Sequence, residues 1–178
     1  MLDFLEKVTE KIEYIELPYM LSGSLAMGFY AIQRTTRDID LVVEMEEKHI
    51  EAIVKLFEEG YYCYQPALRD AFITNGMFNI IDNSTGFKID FILRKNSNYD
   101  KIAFQRKKNL SFGEKYSKKF WVISLEDLII AKFRWIQDLI SERQLEDIKN
   151  LLLNTSLDRD YLKYWLKELN LKTYEIIV

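Results

Sequence analysis

Cysteine is nearly absent: Cys63 stands alone, so no disulfide can form within the chain and no thiolate cluster can hold zinc. Its neighbours Tyr61, Tyr62 and Tyr64 suggest a half-buried thiol in a strand. No apolar run approaches the ~20 residues a membrane helix needs, which argues against a membrane-spanning role. At the start, Asp3, Glu6 and Lys7 interrupt Leu2, Phe4, Leu5 and Val8, a pattern unlike a signal peptide. A reducing cytoplasm is therefore the expected compartment, with no membrane partner. Internal repeats, low-complexity tracts and Gly/Ser linkers are also missing, so the chain reads as one compact domain or a small domain with a helical extension. Positive charge is not in excess either, and a formal net charge of −3 argues against a non-specific grip on a polyanion.

What is present is material for a core. The 178 residues are 48% hydrophobic and include eleven Phe, eleven Tyr and three Trp, each bringing a large area to bury. Apolar positions at helical spacing run from Leu2 to Ile15, and Pro18 stops them. The turn Leu21-Ser22-Gly23-Ser24 follows, where Ser22 or Ser24 is placed to cap the next helix. Asp38 to Val43 has strand composition, and 46–59 reads as an amphipathic helix closed by Gly60. The middle reads as strands over 60–64, 71–74, 77–81 and 87–93, with Asn75-Gly76 as a hairpin turn and 82–86 as an antiparallel return. After Ser124, an N-cap with Glu126 and Asp127 in the first turn, the pattern becomes helical: one helix through Leu139, one to Leu153 and one over 157–169. The expected architecture is a mixed α/β part up to residue 120 and a helical part over 121–178. Between Lys101 and Lys119, seven basic residues face the single acid Glu114, a net of +6. That stretch is either a solvated rim or a platform for a nucleotide or acidic acceptor.

The chemistry-bearing feature is a set of carboxylates. Asp38 and Asp40 are one residue apart in a strand, so a period of two turns both to one face while Ile39 and Leu41 face the core. Close carboxylates repel unless a cation lies between them, and without one a dry site pushes one of them to protonate. Magnesium resolves the conflict, since it takes hard oxygen ligands and keeps waters and phosphate oxygens in its remaining positions. Asp90 sits among apolar residues in Lys88-Ile89-Asp90-Phe91-Ile92-Leu93, where an unpaired charge is costly. If the two strands are neighbours, the three acids meet at one end of the sheet and can serve a two-metal site for phosphoryl displacement. Alone, Asp-x-Asp at a strand start is usually turn chemistry.

Taken together, Gly23-Ser24-Leu25-Ala26, Arg34-x-Thr36-x-Asp38-Ile39-Asp40-Leu41 and Ile89-Asp90-Phe91 resemble the DNA polymerase beta-like nucleotidyltransferase superfamily. More narrowly they are similar to its small bacterial and archaeal members, related to abortive-infection toxins and antibiotic nucleotidyltransferases. The likeness covers roughly residues 20 to 45 and 85 to 150. It implies an α+β nucleotidyltransferase fold, a short mixed sheet flanked by helices and followed by a helical part. It further implies Mg²⁺ or Mn²⁺ on Asp38, Asp40 and Asp90, with Asp90 also helping to take the acceptor's proton. A nucleoside triphosphate, ATP first, would lie on Gly23, Ser24, Arg34, Thr36 and Lys132. Arg34 reads equally as a phosphate contact or a brace for the strand entrance. Lys132 reads as a triphosphate contact or as a surface residue on an amphipathic helix, and Arg143 with Asp147 as an i,i+4 pair supporting its helix.

The implied reaction moves a nucleoside monophosphate to a hydroxyl on a protein, RNA or small molecule and releases pyrophosphate. Residues 60–85 and 95–120 match no pattern, so the acceptor is open. The alternative is a non-catalytic partner that kept the fold, such as a toxin-antitoxin component, with Trp135, Tyr164 and Trp165 forming an interface. Double-stranded nucleic-acid binding by 101–119 is the weakest reading, because the stretch has basic residues but no reading motif.

Overall fold

The computed structural model describes residues 1–32, 36–113, 118–176 and 178. In chain order the elements are α1 (Leu2–Tyr14), β1 (Tyr19–Ser22), α2 (Gly23–Met27), β2 (Asp38–Val43), α3 (Lys48–Leu56), β3 (Tyr61–Cys63), α4 (Gln65–Thr74) and β4 (Met77–Asp82). They continue with β5 (Lys88–Leu93), α5 (Asn98–Gln105), β6 (Lys108–Ser111), β7 (Lys119–Val122), α6 (Leu125–Trp135), α7 (Glu142–Leu152) and α8 (Arg159–Glu168). The seven strands form one mixed sheet in the order β3-β4-β5-β2-β1-β7-β6. This is the mixed α+β arrangement that the sequence suggests, with a helical segment at the C-terminal end.

Strand pairing sets the stage for the carboxylates. β2 and β5 run parallel and in register, Asp38 opposite Lys88 and Asp40 opposite Asp90. β1 returns antiparallel on the other side of β2 with Ser22 opposite Asp40, and β4 lies antiparallel to β5 with Asn79 opposite Asp90. One polar row, Ser22-Asp40-Asp90-Asn79, therefore crosses four strands. Ile39, Leu41 and Val43 are fully buried on the opposite face of β2, as the period of two requires. They belong to one core with Leu5, Val8 and Ile12 of α1, Ile53 of α3, and Phe133 and Ile129 of α6.

Two local readings are corrected. Residues 71–74 belong to helix α4, not to a strand, and Asn75-Gly76 is not a hairpin turn. Asn75 adopts the left-handed conformation (φ 50°) that ends α4, a position where Asn serves as well as it does in a turn. Pro66 in the first turn was the available signal for this helix. Capping at α2 is the second: Ser22 occupies the N-cap position without a side-chain capping bond, and Ser24 lies inside the helix. Two further features come from the structure. Ser97 caps α5 by accepting from the Asp100 amide, and β6 and β7 form a hairpin-like pair at the sheet edge. Residue 120 falls within β7, so helix begins only with α6.

Candidate functional site

Asp40, Asp90 and Asp38 converge because two adjacent parallel strands enter from the same end. Asp90 is buried, with 6% of its surface exposed, whereas the Asp38 side chain is 55% exposed at the mouth. Burial, reinforced by the charges of Asp90 and Asp38, pushes the Asp40 carboxyl up to about 6, while Lys88 and Lys132 act in the opposite direction. Lys88 belongs to the same face, two residues before Asp90. Its Nζ lies 2.9 Å from Asp90 Oδ2 and 3.6 Å from Asp38 Oδ1. Hydrogen bonding to Asp90 holds its ammonium above the usual lysine range. Asp90 Oδ1, by contrast, is buried with no hydrogen-bond partner among the described residues.

Gly23 seals the other side. Its backbone is in the left-handed region (φ +64°), and a Cβ built there would stand 1.7 Å from Asp40 Oδ2. Glycine is thus required twice, by conformation and by the carboxylate lying against its Cα. Ser24 follows as the second residue of α2, a helix of five residues whose dipole is correspondingly small. Thr36 Oγ1 accepts a 3.3 Å hydrogen bond from the Asp38 amide and shapes the entry to β2. Arg34 lies outside the described residues, as does Lys115 of the basic stretch.

Lys132 is not the surface residue that one reading made it. It is 5% exposed, its Nζ donating to Asp147 Oδ2 at 2.7 Å and to Gln144 Oε1 at 3.0 Å across the α6 and α7 interface. Its charge is nevertheless felt at Asp40. The basic stretch is also more engaged than its net charge implies. Arg106 turns inward to Glu126 and Asp127, Lys118 pairs with Glu10 and Glu13, and Lys107 lies 3.6 Å from the centroid of the Phe104 ring.

The donor set is suited to a hard divalent cation: carboxylate oxygens only, one of them buried and unsatisfied, with repulsion between neighbours that a dication would relieve. As the side chains stand, no group of three or more His, Cys, Asp or Glu among the described residues is arranged around a metal position. Lys88, Asn79 and Gln144 are site neighbours with no role in the sequence reading, where Ser22 enters only as a helix cap and Asp147 only as the i,i+4 partner of Arg143. Lys88 alone carried a legible signal, a cation at i−2 on the same strand face as Asp90.

A mixed sheet with paired carboxylates on adjacent strands and a glycine turn against them defines a nucleotidyltransferase-like fold. The chain belongs to the family described as "Nucleotidyltransferase of unknown function (DUF6036)", whose model matches residues 2–177. Among solved structures it is similar to the antibiotic-resistance factor ANT(2″)-Ia, crystallised with adenylyl-2″-tobramycin, with a TM-score of 0.64 at 13% identity over 94% of this chain and 95% of that one. It is also similar to the lincosamide antibiotic adenylyltransferase LnuA in its lincomycin-bound form, with a TM-score of 0.57 at 16% identity over 84% of this chain and 94% of that one. A nucleotidyltransferase-type structure from Thermotoga maritima aligns with a TM-score of 0.51 at 15% identity, over 94% and 92% of the two chains. At these identities the likeness establishes the fold. No curated protein matches the sequence. Among the described residues no helix is long and apolar enough to cross a membrane.

Proposed function

We propose that this protein is a metal-dependent nucleotidyltransferase that moves a nucleoside monophosphate from a nucleoside triphosphate to an acceptor hydroxyl and releases pyrophosphate. The observation that carries the reading is the in-register pair Asp40 and Asp90, with Asp38 beside it and an unsatisfied buried oxygen on Asp90. Asp38, Asp40 and Asp90 would hold Mg²⁺ or Mn²⁺, which when bound supplies the positive charge that a transferring phosphoryl group needs. Gly23 and Ser24, with Thr36 and Arg34 at the entrance to β2, would cradle the phosphates. Lys132, held by Asp147 and Gln144, would contribute its charge from α6.

In the transfer the acceptor oxygen attacks the α-phosphorus, the bond from that phosphorus to the pyrophosphate oxygen breaks, and the hydroxyl proton leaves toward Asp90. ATP is the first choice of donor, and a small-molecule hydroxyl ranks beside protein and RNA as acceptor. The names of the two antibiotic-modifying relatives support both choices. We assign catalysis to residues 1–120, with 121–178 as a helical extension, and place the reaction in the cytoplasm. The test is incubation with Mg²⁺, each of labelled ATP, CTP, GTP and UTP, and cell extract, followed by identification of what becomes labelled. Equal labelling by wild type and by the Asp38→Ala/Asp40→Ala variant would sink the proposal.

A further inference from the structure

We infer that Lys88 is a resident counter-ion of the carboxylate site, holding Asp38 and Asp90 together in the metal-free protein and having to be displaced before a divalent cation can settle there. The inference rests on the metal-binding reading of Asp38, Asp40 and Asp90 given above.

The register of β2 and β5 puts Lys88 directly opposite Asp38 and two residues before Asp90 on the same face. Its ammonium bridges the two strands, 2.9 Å from Asp90 Oδ2 and 3.6 Å from Asp38 Oδ1. A single positive charge at that point offsets only part of the repulsion among three carboxylates. The unsatisfied Asp90 Oδ1 shows where the compensation stops. A dication carries twice the charge and several coordination positions, so it can serve oxygens that one ammonium cannot.

Lys88 is also built to leave. Its side chain is 34% exposed, against 9% for Asp90, and an ammonium on a flexible four-carbon stem can swing toward solvent without disturbing the strand. Wild-type metal affinity is therefore a difference between two occupancies, metal against lysine. Removing the lysine should tighten metal binding while loosening the metal-free fold. A lysine that merely props the strand would instead leave metal binding unchanged or weaken it on removal.

The experiment compares wild type, Lys88→Met and Lys88→Arg, each prepared in chelator, by Mn²⁺ titration with electron paramagnetic resonance and by thermal unfolding with and without Mn²⁺. A charge-assisted hydrogen bond is worth enough that Lys88→Met should bind Mn²⁺ about tenfold more tightly. It should melt below wild type in chelator and gain more from added Mn²⁺, while Lys88→Arg stays close to wild type in all three readouts. Lys88→Gln provides the same comparison if the methionine variant does not fold in chelator. Equal or weaker Mn²⁺ binding in folded Lys88→Met, with wild type binding normally, would overturn the inference and leave the proposed function standing. If wild type and all variants bind neither Mn²⁺ nor ATP, both fall together.

Discussion

Two groups of acids in this molecule have opposite hydrogen-bond accounts. At the start of α6, Asp127 is fully buried, yet its Oδ2 accepts from Ser124 Oγ at 2.6 Å and from Arg106 Nε at 3.2 Å. Its Oδ1 accepts from Tyr161 at 2.9 Å and Tyr99 at 3.1 Å. Glu126 beside it takes Arg106 Nη2 at 2.9 Å and the Asp158 amide at 3.1 Å, and the Arg106 guanidinium stacks 3.8 Å from the centroid of the Tyr161 ring. Burial, with Asp127 next, raises the ionisation of Tyr99 and Tyr161 well above the ordinary range, so both hydroxyls stay protonated and donating. At Asp38, Asp40 and Asp90, among the described residues, Lys88 makes direct contact, Lys132 acts on Asp40 through its charge, and one buried oxygen of Asp90 is left bare. A carboxylate whose lone pairs are all met by the chain holds structure together, here α5, α6 and α8. A cluster left short of positive charge is one that a ligand completes.

The comparison can be broken from either side. The largest effect belongs to Asp38→Ala/Asp40→Ala, which should cut nucleotide transfer roughly 10³-fold or more through lost phosphoryl charge stabilisation. Its metal-free unfolding midpoint should stay near or above that of wild type; clear destabilisation would assign those acids to the fold instead. Asp127→Ala should do the reverse, since removing one partner of a buried ion pair costs about 3–5 kcal/mol of stability. Urea titration checks this, and metal affinity measured on the folded fraction should be unchanged.

Gly23→Ala comes next. It places a methyl group on the Asp40 carboxylate at a left-handed backbone position, for an expected loss of about 1–3 kcal/mol together with weakened Mn²⁺ binding. Ordinary metal titration by this variant would show that the turn and Asp40 are independent. The smallest effect is on pH dependence. Asp40 holds its proton up to about 6 in the fold against an ordinary 3.8, so its contribution is present below pH 4 and lost as the pH rises through about 6. The Asp40 contribution to metal-free stability should therefore fall by ~1–2 kcal/mol between pH 4 and pH 7, read as the difference in slope between wild type and Asp40→Asn. Chemical denaturation in chelator at the two pH values measures it. A slope of the same size in the variant would move the effect to other groups.

Much of the candidate site is legible in the chain because its parts are local. Alternation within Asp38-Ile39-Asp40-Leu41 sets which face each side chain takes, and a lone Asp between Ile89 and Phe91 stands out as costly wherever the strand lies. At residues 71–74 the sequence is ambiguous, because a short apolar run does not distinguish strand from helix, and Asn-Gly serves a helix end as well as a hairpin. Glu126 and Asp127 looked like acids on a helix's first turn. Arg106, Tyr99 and Tyr161 reach them from elsewhere in the chain, and no local pattern announces such partners. The partners of Lys132 are hidden in the same way, Asp147 and Gln144 lying on the following helix.

By itself, then, the sequence determined the pairing of Asp38 with Asp40 on one face, the glycine before them and the helical run after Ser124, because side-chain period and turn chemistry act over a few residues. Only the tertiary structure decided that Asp90 stands beside Asp40, that Gly23 has no room for a side chain, and which acids are satisfied from within. Those outcomes depend on strand register and on side chains far apart in sequence, and local propensity carries no information about either.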